Sequence, residues 1–379
     1  MTIIDRYIFF RFLVNFTILF ALMFLFAVAI DLINSLDRFV EAADAVAGDD
    51  ASGLRRFGLV IKLALDFQSP RFFQFYAYLH ALVAIGAMAF TLAQMHRHKE
   101  LVAMLAAGLS MHRIAMPFIV AVFGLSLLQI VNQEIFLPRV APLLLRDHAH
   151  IGKRSVDSFP VVLTPDSTHA LLQSPRFDPR TRTLEKPTFL ERDDRGRTQR
   201  RITADSAQWR EAGPDTAEGW QLEGGRVITL VESETDAALV ASGEQPIDFK
   251  PTDLSPQVLL VHRYGQFAAM LSLRQIAQML ATPGVPARAS LLRYRYARFS
   301  SVLVTVLAMW LTLPTFLLRE PGNLLVRAIV CAGIAIPVLM GATVFMVVDL
   351  PGIAPAVGVF LPVVVLIPIV LAEWTYVRT

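Results

Sequence analysis

Residues 96–113, HRHKELVAMLAAGLSMHR, lie between two apolar runs and hold three His, two Arg, a Lys and a Glu. Three histidines raise the question of a metal. Ligands on one helix want i, i+4 or similar spacing, with further Cys, His or carboxylate support. His96 and His98 point apart on a helix, so no metal site is expected. The P-loop pattern G-x-x-x-x-G-K-S/T is missing, as are H-E-x-x-H and G-x-S-x-G. No cofactor is therefore expected in this chain, and the sequence reads as non-catalytic.

The same stretch makes better sense as a surface. On a helix over about residues 97–109, Leu101, Met104, Leu105 and Leu109 follow i, i+3, i+4, i+8 spacing and form one apolar stripe. Ala103, Ala106 and Ala107 keep another face small, so a second surface can approach closely. Gly108 tolerates the left-handed conformation that ends a helix, and Ser110 is placed to cap the next one. Glu100 lies in the first turn, where the helix dipole favours a carboxylate by about 0.3–1 kcal/mol. Two readings fit: an interfacial loop helix whose Glu100 is only an N-terminal charge, or a helix that docks in a partner's groove.

A second constellation is RYRYAR, with Arg293, Arg295 and Arg298 interleaved by Tyr294 and Tyr296. Arg139, Arg146, Lys153 and Arg154 follow another apolar run. Aromatic and long cationic side chains anchor helices at a membrane interface. Arginine also binds phosphate in forked geometry. Anchoring and anionic head-group binding both remain open.

The elements that must position these residues follow from composition. The chain has 379 residues, 54% of them hydrophobic, against a usual apolar share of about 45–50%. The excess sits in six nearly uncharged runs, residues 7–34, 71–95, 114–137, 299–318, 325–347 and 352–373. Each reaches the roughly 20 residues a bilayer-crossing helix needs. The first is too long for the apolar part of a signal peptide and has no clear cleavage site after it, so it is expected to be retained. Residues 150–268 instead are rich in charge, Pro, Gly, Ser and Thr.

That segment reads as β: HALLQS, TLEKPTFLER, RRITADSAQWR, GWQLEGGRVITLVE and QPIDF, separated by turn formers such as DDRG and EAGPD. Trp209 and Trp220 are expected as hairpin core residues. LSLRQIAQMLATPG then reads as a short helix capped by Ser272. The organisation is 1–149 for three spans, 150–268 for a β domain and 269–379 for a connecting helix and three more spans. A lone Cys331 rules out an internal disulfide. The net charge of +3 shows no concentrated basic face for nucleic acid. If the spans alternate, Arg6, Arg11, Arg97, Lys99, Arg113, Arg319, Arg327 and Arg378 share one side, which the positive-inside rule makes cytoplasmic. The β domain then lies outside the inner face.

Three stretches add a resemblance. IIDRYIFFRFLVNF opens the chain, KELVAMLAAGLSMHRIAMP joins the second and third runs, and NQEIFLP closes the third. In their order and in the three-span, β, three-span layout, the chain resembles the LptF/LptG permease family of lipopolysaccharide export over nearly its whole length. The resemblance implies an α-helical membrane protein with six transmembrane helices and a β-jellyroll periplasmic domain inserted between helices 3 and 4. It implies a bacterial inner-membrane location, a second permease of the same family, and a cytoplasmic ATPase dimer that uses ATP and Mg. It also implies an LptC/LptA-like jellyroll partner in the periplasm and lipopolysaccharide as cargo. Residues 97–109 become a coupling helix, with Glu100, Leu101, Met104, Leu105 and Gly108 against the ATPase and Glu100 meeting a basic residue there. Arg38, Arg139, Arg146, Arg293, Arg295 and Arg298 become head-group contacts.

The family often carries basic residues at the outer end of the first span. Here AIDLINSLDR offers Asp31, Asp37 and only Arg38. Asp31 is costly there unless it is wet or paired, and an Arg of the fourth span is a candidate partner. An alternative function is mechanotransmission, in which ATPase motion reaches a periplasmic partner without lipid moving. A membrane enzyme would need a convergent cluster of acids, His or Ser at one depth, and the sequence offers none.

Overall fold

The computed structural model describes residues 2–47, 52–144, 158–193, 197–211, 213, 217–232, 239–265, 267–281, 288–317, 323–348 and 352–376. The chain divides into two compact units, Met1–Arg139 with Ala289–Thr379, and Val140–Arg288.

In the first unit, α1 (Ile3–Ala47) and α2 (Gly53–Arg97) are 45 residues each. At 1.5 Å per residue each is about 68 Å long, more than twice the hydrocarbon thickness of a bilayer. The apolar runs 7–34 and 71–95 are therefore only parts of these helices. Residues 35–47 and 53–70, outside those runs, continue as the arms of a helical hairpin. Their seam explains why. Ser35, Phe39 and Ala43 recur every fourth residue and are buried. Phe39 meets Phe67 edge-on at 5.8 Å. Asp44 pairs with Arg56 at 3.5 Å across the arms.

The short α3 (Glu100–Ala106) follows. The third span is one continuous rod, α4 (Met111–Val131), a π-helical turn (Asn132–Phe136) and α5 (Leu137–Leu144). Pro138 has no N–H for the Glu134 carbonyl, and the wider π turn accommodates that loss.

In the second unit all strand pairs are antiparallel. The strands are β1 (Phe159–Pro165), β2 (Leu171–Asp178), β3 (Thr183–Glu185), β4 (Thr188–Arg192), β5 (Thr198–Thr203), β6 (Ser206–Arg210), β7 (Gly219–Glu223), β8 (Arg226–Glu232), β9 (Leu239–Pro246) and β10 (Phe249–Pro251). The sheet forks at β2, which pairs with β4 through residues 171–173 and with β3 through 176–178. One branch runs β3-β6-β7-β10 and the other β4-β5-β8-β9, while β1 also pairs with β2. Lys250 of β10 reaches Glu191 of β4 and so ties the branches together. The Ile247 N–H donates to the Gly225 carbonyl at 3.0 Å and draws the β9–β10 link against the β7–β8 turn. Trp220 is fully buried directly opposite half-buried Trp209, with the rings 5.2 Å apart. Strand β1 was not anticipated, because its FPVVLTP breaks alternation with a bulge at Val161–Thr164.

Three helices complete this unit: α6 (Pro256–Arg263), α7 (Phe267–Met270) and α8 (Leu273–Ala281). Ser272 caps α8 reciprocally: Gln275 N–H donates to Ser272 Oγ at 3.2 Å, and Ser272 N–H donates to Gln275 Oε1 at 2.8 Å. The connecting helix thus groups with the strands, beyond the boundary at 268 read from sequence.

The chain returns to the first unit with α9 (Arg288–Thr312) and α10 (Pro314–Leu317), then α11 (Leu324–Val347) and α12 (Pro355–Tyr376). Among the described residues, six helices are long and apolar enough to cross a membrane, and they fall on the six runs. An antiparallel sheet lies between the third and fourth in the chain, as expected.

Candidate functional site

Helix α3 is shorter than the 97–109 expected. Helix α2 runs on to Arg97, and Lys99 turns the chain with φ 58°, so α3 begins only at Glu100. Its end is a full left-handed closure. Leu109 N–H donates to the Met104 carbonyl at 3.2 Å and Gly108 N–H to Leu105 at 3.0 Å, with Gly108 at φ +81°. Ser110 occupies the cap position of α4, but its side chain makes no cap hydrogen bond. Its carbonyl instead accepts from Arg113 N–H at 3.1 Å.

The apolar stripe turns inward. Leu101 is buried, and Met104, Leu105 and Leu109 pack against the core of the helical unit. What the helix exposes is Val102, Ala103, Ala106, Ala107 and Gly108. Leu101, Met104 and Leu105 were expected to meet a partner. Leu101 is buried and Met104 and Leu105 are half-buried against the chain's own core, and the small-residue face is the more open one.

Glu100 also has a partner inside the chain. Arg11 Nη1 donates to Glu100 Oε2 at 2.6 Å, and the Tyr7 hydroxyl donates to the same oxygen at 3.1 Å. Arg11 also bonds the Tyr7 hydroxyl. The hydrogen bond from Arg11 holds the Glu100 carboxyl below its ordinary value, with Tyr7 adding in the same sense. Behind this pair Arg11 Nη2 reaches Gln94 Oε1 at 3.5 Å, and Asn15 Nδ2 donates to Thr91 Oγ1 at 2.8 Å. Sequence reasoning gave Arg11 only to the topology. Its signal was a cation beginning an apolar run, which is expensive in a membrane unless paired.

The histidines hold the flanks of α3. His96 Nε2 lies 2.6 Å from the Phe316 carbonyl at the end of span four. The His112 ring packs on Trp374 of span six at 4.6 Å. Among the described residues no group of His, Cys, Asp or Glu is placed to hold a metal. These contacts put the start of α1, helix α3, the end of span four and the end of span six at one end of the helical unit.

At the other end the candidate arginines separate. Arg298 of α9 is 4% exposed and pairs with Glu134 of the π turn. Arg293 is also buried. Arg38, Arg139 and Arg295 are exposed, and Arg146 lies outside the described residues. Asp31 is paired with Arg71 of α2 at 2.8 Å and accepts from Gln68 at 2.5 Å. This arginine comes from the second span, which runs alongside it.

Six apolar helices with a β unit between the third and fourth define a multi-pass membrane protein with an extramembrane domain, its second and third spans joined by a packed polar-headed helix. The family model for the lipopolysaccharide export system permease LptF/LptG matches residues 6–376, and the chain belongs to that family. It is a permease component of lipopolysaccharide export, in the inner membrane. No curated protein matches the chain.

Proposed function

We propose that the chain is one of two related permeases in an ABC-type exporter that extracts lipopolysaccharide from the inner membrane and passes it to a periplasmic LptC/LptA-like bridge. A separate cytoplasmic ATPase dimer, using ATP and Mg, drives the cycle. One observation carries the reading beyond family membership: α3 packs Leu101, Met104 and Leu105 against the chain's own core and exposes Val102, Ala103, Ala106 and Ala107. A small, nearly flat face of this kind suits close approach to a groove on the ATPase. The end bearing α3 is the cytoplasmic one, because Arg6, Arg11, Arg97, Lys99, Arg113 and Arg327 gather with it. Both termini are then cytoplasmic and residues 150–268 periplasmic.

The forked sheet, with its branches tied by Lys250 and Glu191, supports a jellyroll that receives acyl chains. ATP-driven closure of the ATPase moves α3, and the first and fifth spans open and collapse the lipid cavity. Exposed Arg38, Arg139 and Arg295 are the head-group candidates, while Arg293 and Arg298 hold the bundle.

The test places photo-crosslinkers at residues 102 and 106, and at 139 and 295, in native membranes. The first pair is expected to capture the ATPase, the second lipopolysaccharide. Val102→Glu is expected to abolish co-purification of the ATPase. Docking through this face is refuted if the variant still co-purifies it and residues 102 and 106 capture none.

A further inference from the structure

One face of the α1–α2 hairpin stays apolar after its helices leave the bilayer. On α1 the exposed residues Val14, Leu22, Leu25, Ile33, Leu36 and Val40 recur at multiples of a helical turn and form one stripe about 39 Å long. On α2 the exposed Leu54, Phe57, Ile61 and Leu65 repeat at i, i+3, i+7 and i+11. The stripes share a side, because Leu36, Val40, Phe57 and Val60 line one groove of about 280 Å³ between the arms. The Asp31–Arg71 pair marks the outer edge of the bilayer, since charges are expensive deeper in lipid. Val40 and Leu54 then stand about 14 and 25 Å beyond that edge. Helix α1 runs unbroken through this level and Phe39 packs on Phe67 of α2, so the arms do not fold down onto the lipid surface. Exposed Arg38 and Lys62 fall outside the stripes.

We propose that this face of the hairpin is a ramp for the acyl chains of the exported glycolipid once they have left the outer leaflet. This rests on the export reading above. Each methylene that passes from lipid into water is costly, so a chain leaving the bilayer needs apolar surface along its way. The stripe on α1 supplies that surface without a break, from the depth of Val14 to Val40 beyond the bilayer edge. That continuity selects an occupant that starts inside the membrane, where a water-soluble partner does not reach. The size of the groove selects a thin one. A single turn of a helix about 10 Å wide fills about 420 Å³, more than the groove between Leu36, Val40, Phe57 and Val60 holds. An unbranched hydrocarbon chain fits where a helix does not. Charge gives the ramp a sense: Asp37 is exposed on α1, whereas Arg55 and Lys62 are exposed on α2. An anionic head group therefore rides on the α2 side.

The test uses the assembled exporter in proteoliposomes loaded with lipopolysaccharide. Photo-crosslinkers at residues 40 and 57 are expected to capture lipopolysaccharide when ATP is supplied, and those at 38 and 62, off the stripes, to capture several-fold less. Val40→Asp with Phe57→Asp is expected to lower lipopolysaccharide release per ATP at least about fivefold, because a charge interrupts the apolar path. Val40→Leu with Phe57→Leu keeps the path apolar and is expected to stay within about twofold of the parent. Both positions are already exposed, so melting temperature and ATPase co-purification are expected to hold in either variant. The ramp is overturned if residues 40 and 57 capture no more lipid than 38 and 62, or if they capture a second copy of this chain or another protein instead. It is also overturned if the double aspartate variant releases lipid at the parent rate. Capture at 139 and 295 with none at 40 and 57 strikes the ramp and leaves the export reading standing, whereas capture at none of these sites strikes both.

Discussion

Replacing Glu134 by Ala asks whether a charge pair, rather than apolar fit, joins the third span to the fourth. The Arg298 side chain is 4% exposed and that of Glu134 is 26% exposed. Removing one partner of a buried pair costs about 3–5 kcal/mol, because the remaining charge keeps its desolvation penalty and loses its attraction. The partial exposure of Glu134 sets the expectation at the lower end, about 3 kcal/mol, or roughly a hundredfold in the folded ratio. Arg298→Ala removes the buried cation itself and leaves the more exposed carboxylate, so its cost is smaller, about 1–2 kcal/mol. Glu134→Leu with Arg298→Met removes both charges at similar volume and is expected to fall within about 1–2 kcal/mol of the parent. The assay is equilibrium unfolding of the full chain in detergent, followed by tryptophan fluorescence. Added salt is expected to change little, since buried charges are weakly screened. Single variants that cost under about 0.5 kcal/mol, with additive effects in the double, would refute the reasoning.

In the β unit, Trp220→Ala is expected to cost about 3–5 kcal/mol. Trp220→Phe keeps most of the contact but loses the Nε1 donor to the Leu254 carbonyl at 3.1 Å, about 1 kcal/mol; thermal melts of the full chain separate the two. Gly225→Ala drives a Cβ onto the Ile247 carbonyl and is expected to lower the melting temperature, whereas Gly53→Ala meets open space and is expected to be neutral. The bond from Arg11 lowers the folded value of Glu100 below its ordinary 4.5. The ion-pair contribution is therefore complete above that pH and is lost as pH falls through the lower folded value. Glu100→Gln is expected to remove this part of the acid-side loss of stability, read from melts over an acidic pH series.

Hydropathy made the six spans legible, because a bilayer demands length and the absence of charge together. It hid the arms of α1 and α2. Beyond the membrane the hairpin needs only a narrow seam, and Ser35, Phe39 and Ala43 supply it amid Asp37, Arg38 and Glu41. The segments that hold β2 to β8 were found through their turns, but QPIDF straddles the end of β9 and the start of β10, and Ser272 was read as a cap from its place before the helix. In α3 the stripe of Leu101, Met104 and Leu105 was correctly seen, and the chain's own core covers Leu101 fully and the other two in part. Periodicity says that a face is apolar, not whether the chain itself covers it. The ties of Glu100 to Arg11, 89 positions away, and of His96 to Phe316, 220 away, are written in no local pattern.

The fork at β2 also bears on the order in which the β unit is made. Strands β2 to β8 each find a partner among strands already synthesised or next in line. The outer edge of β7, by contrast, is covered only when Phe249–Pro251 arrives. Until then the nascent chain carries a bare strand edge beside Trp220, whose ring is fully buried in the finished fold. Open edges recruit foreign strands. A pause in synthesis or a truncation between residues 223 and 249 would therefore yield a sticky intermediate, and β10, only three residues long, is the closing stitch.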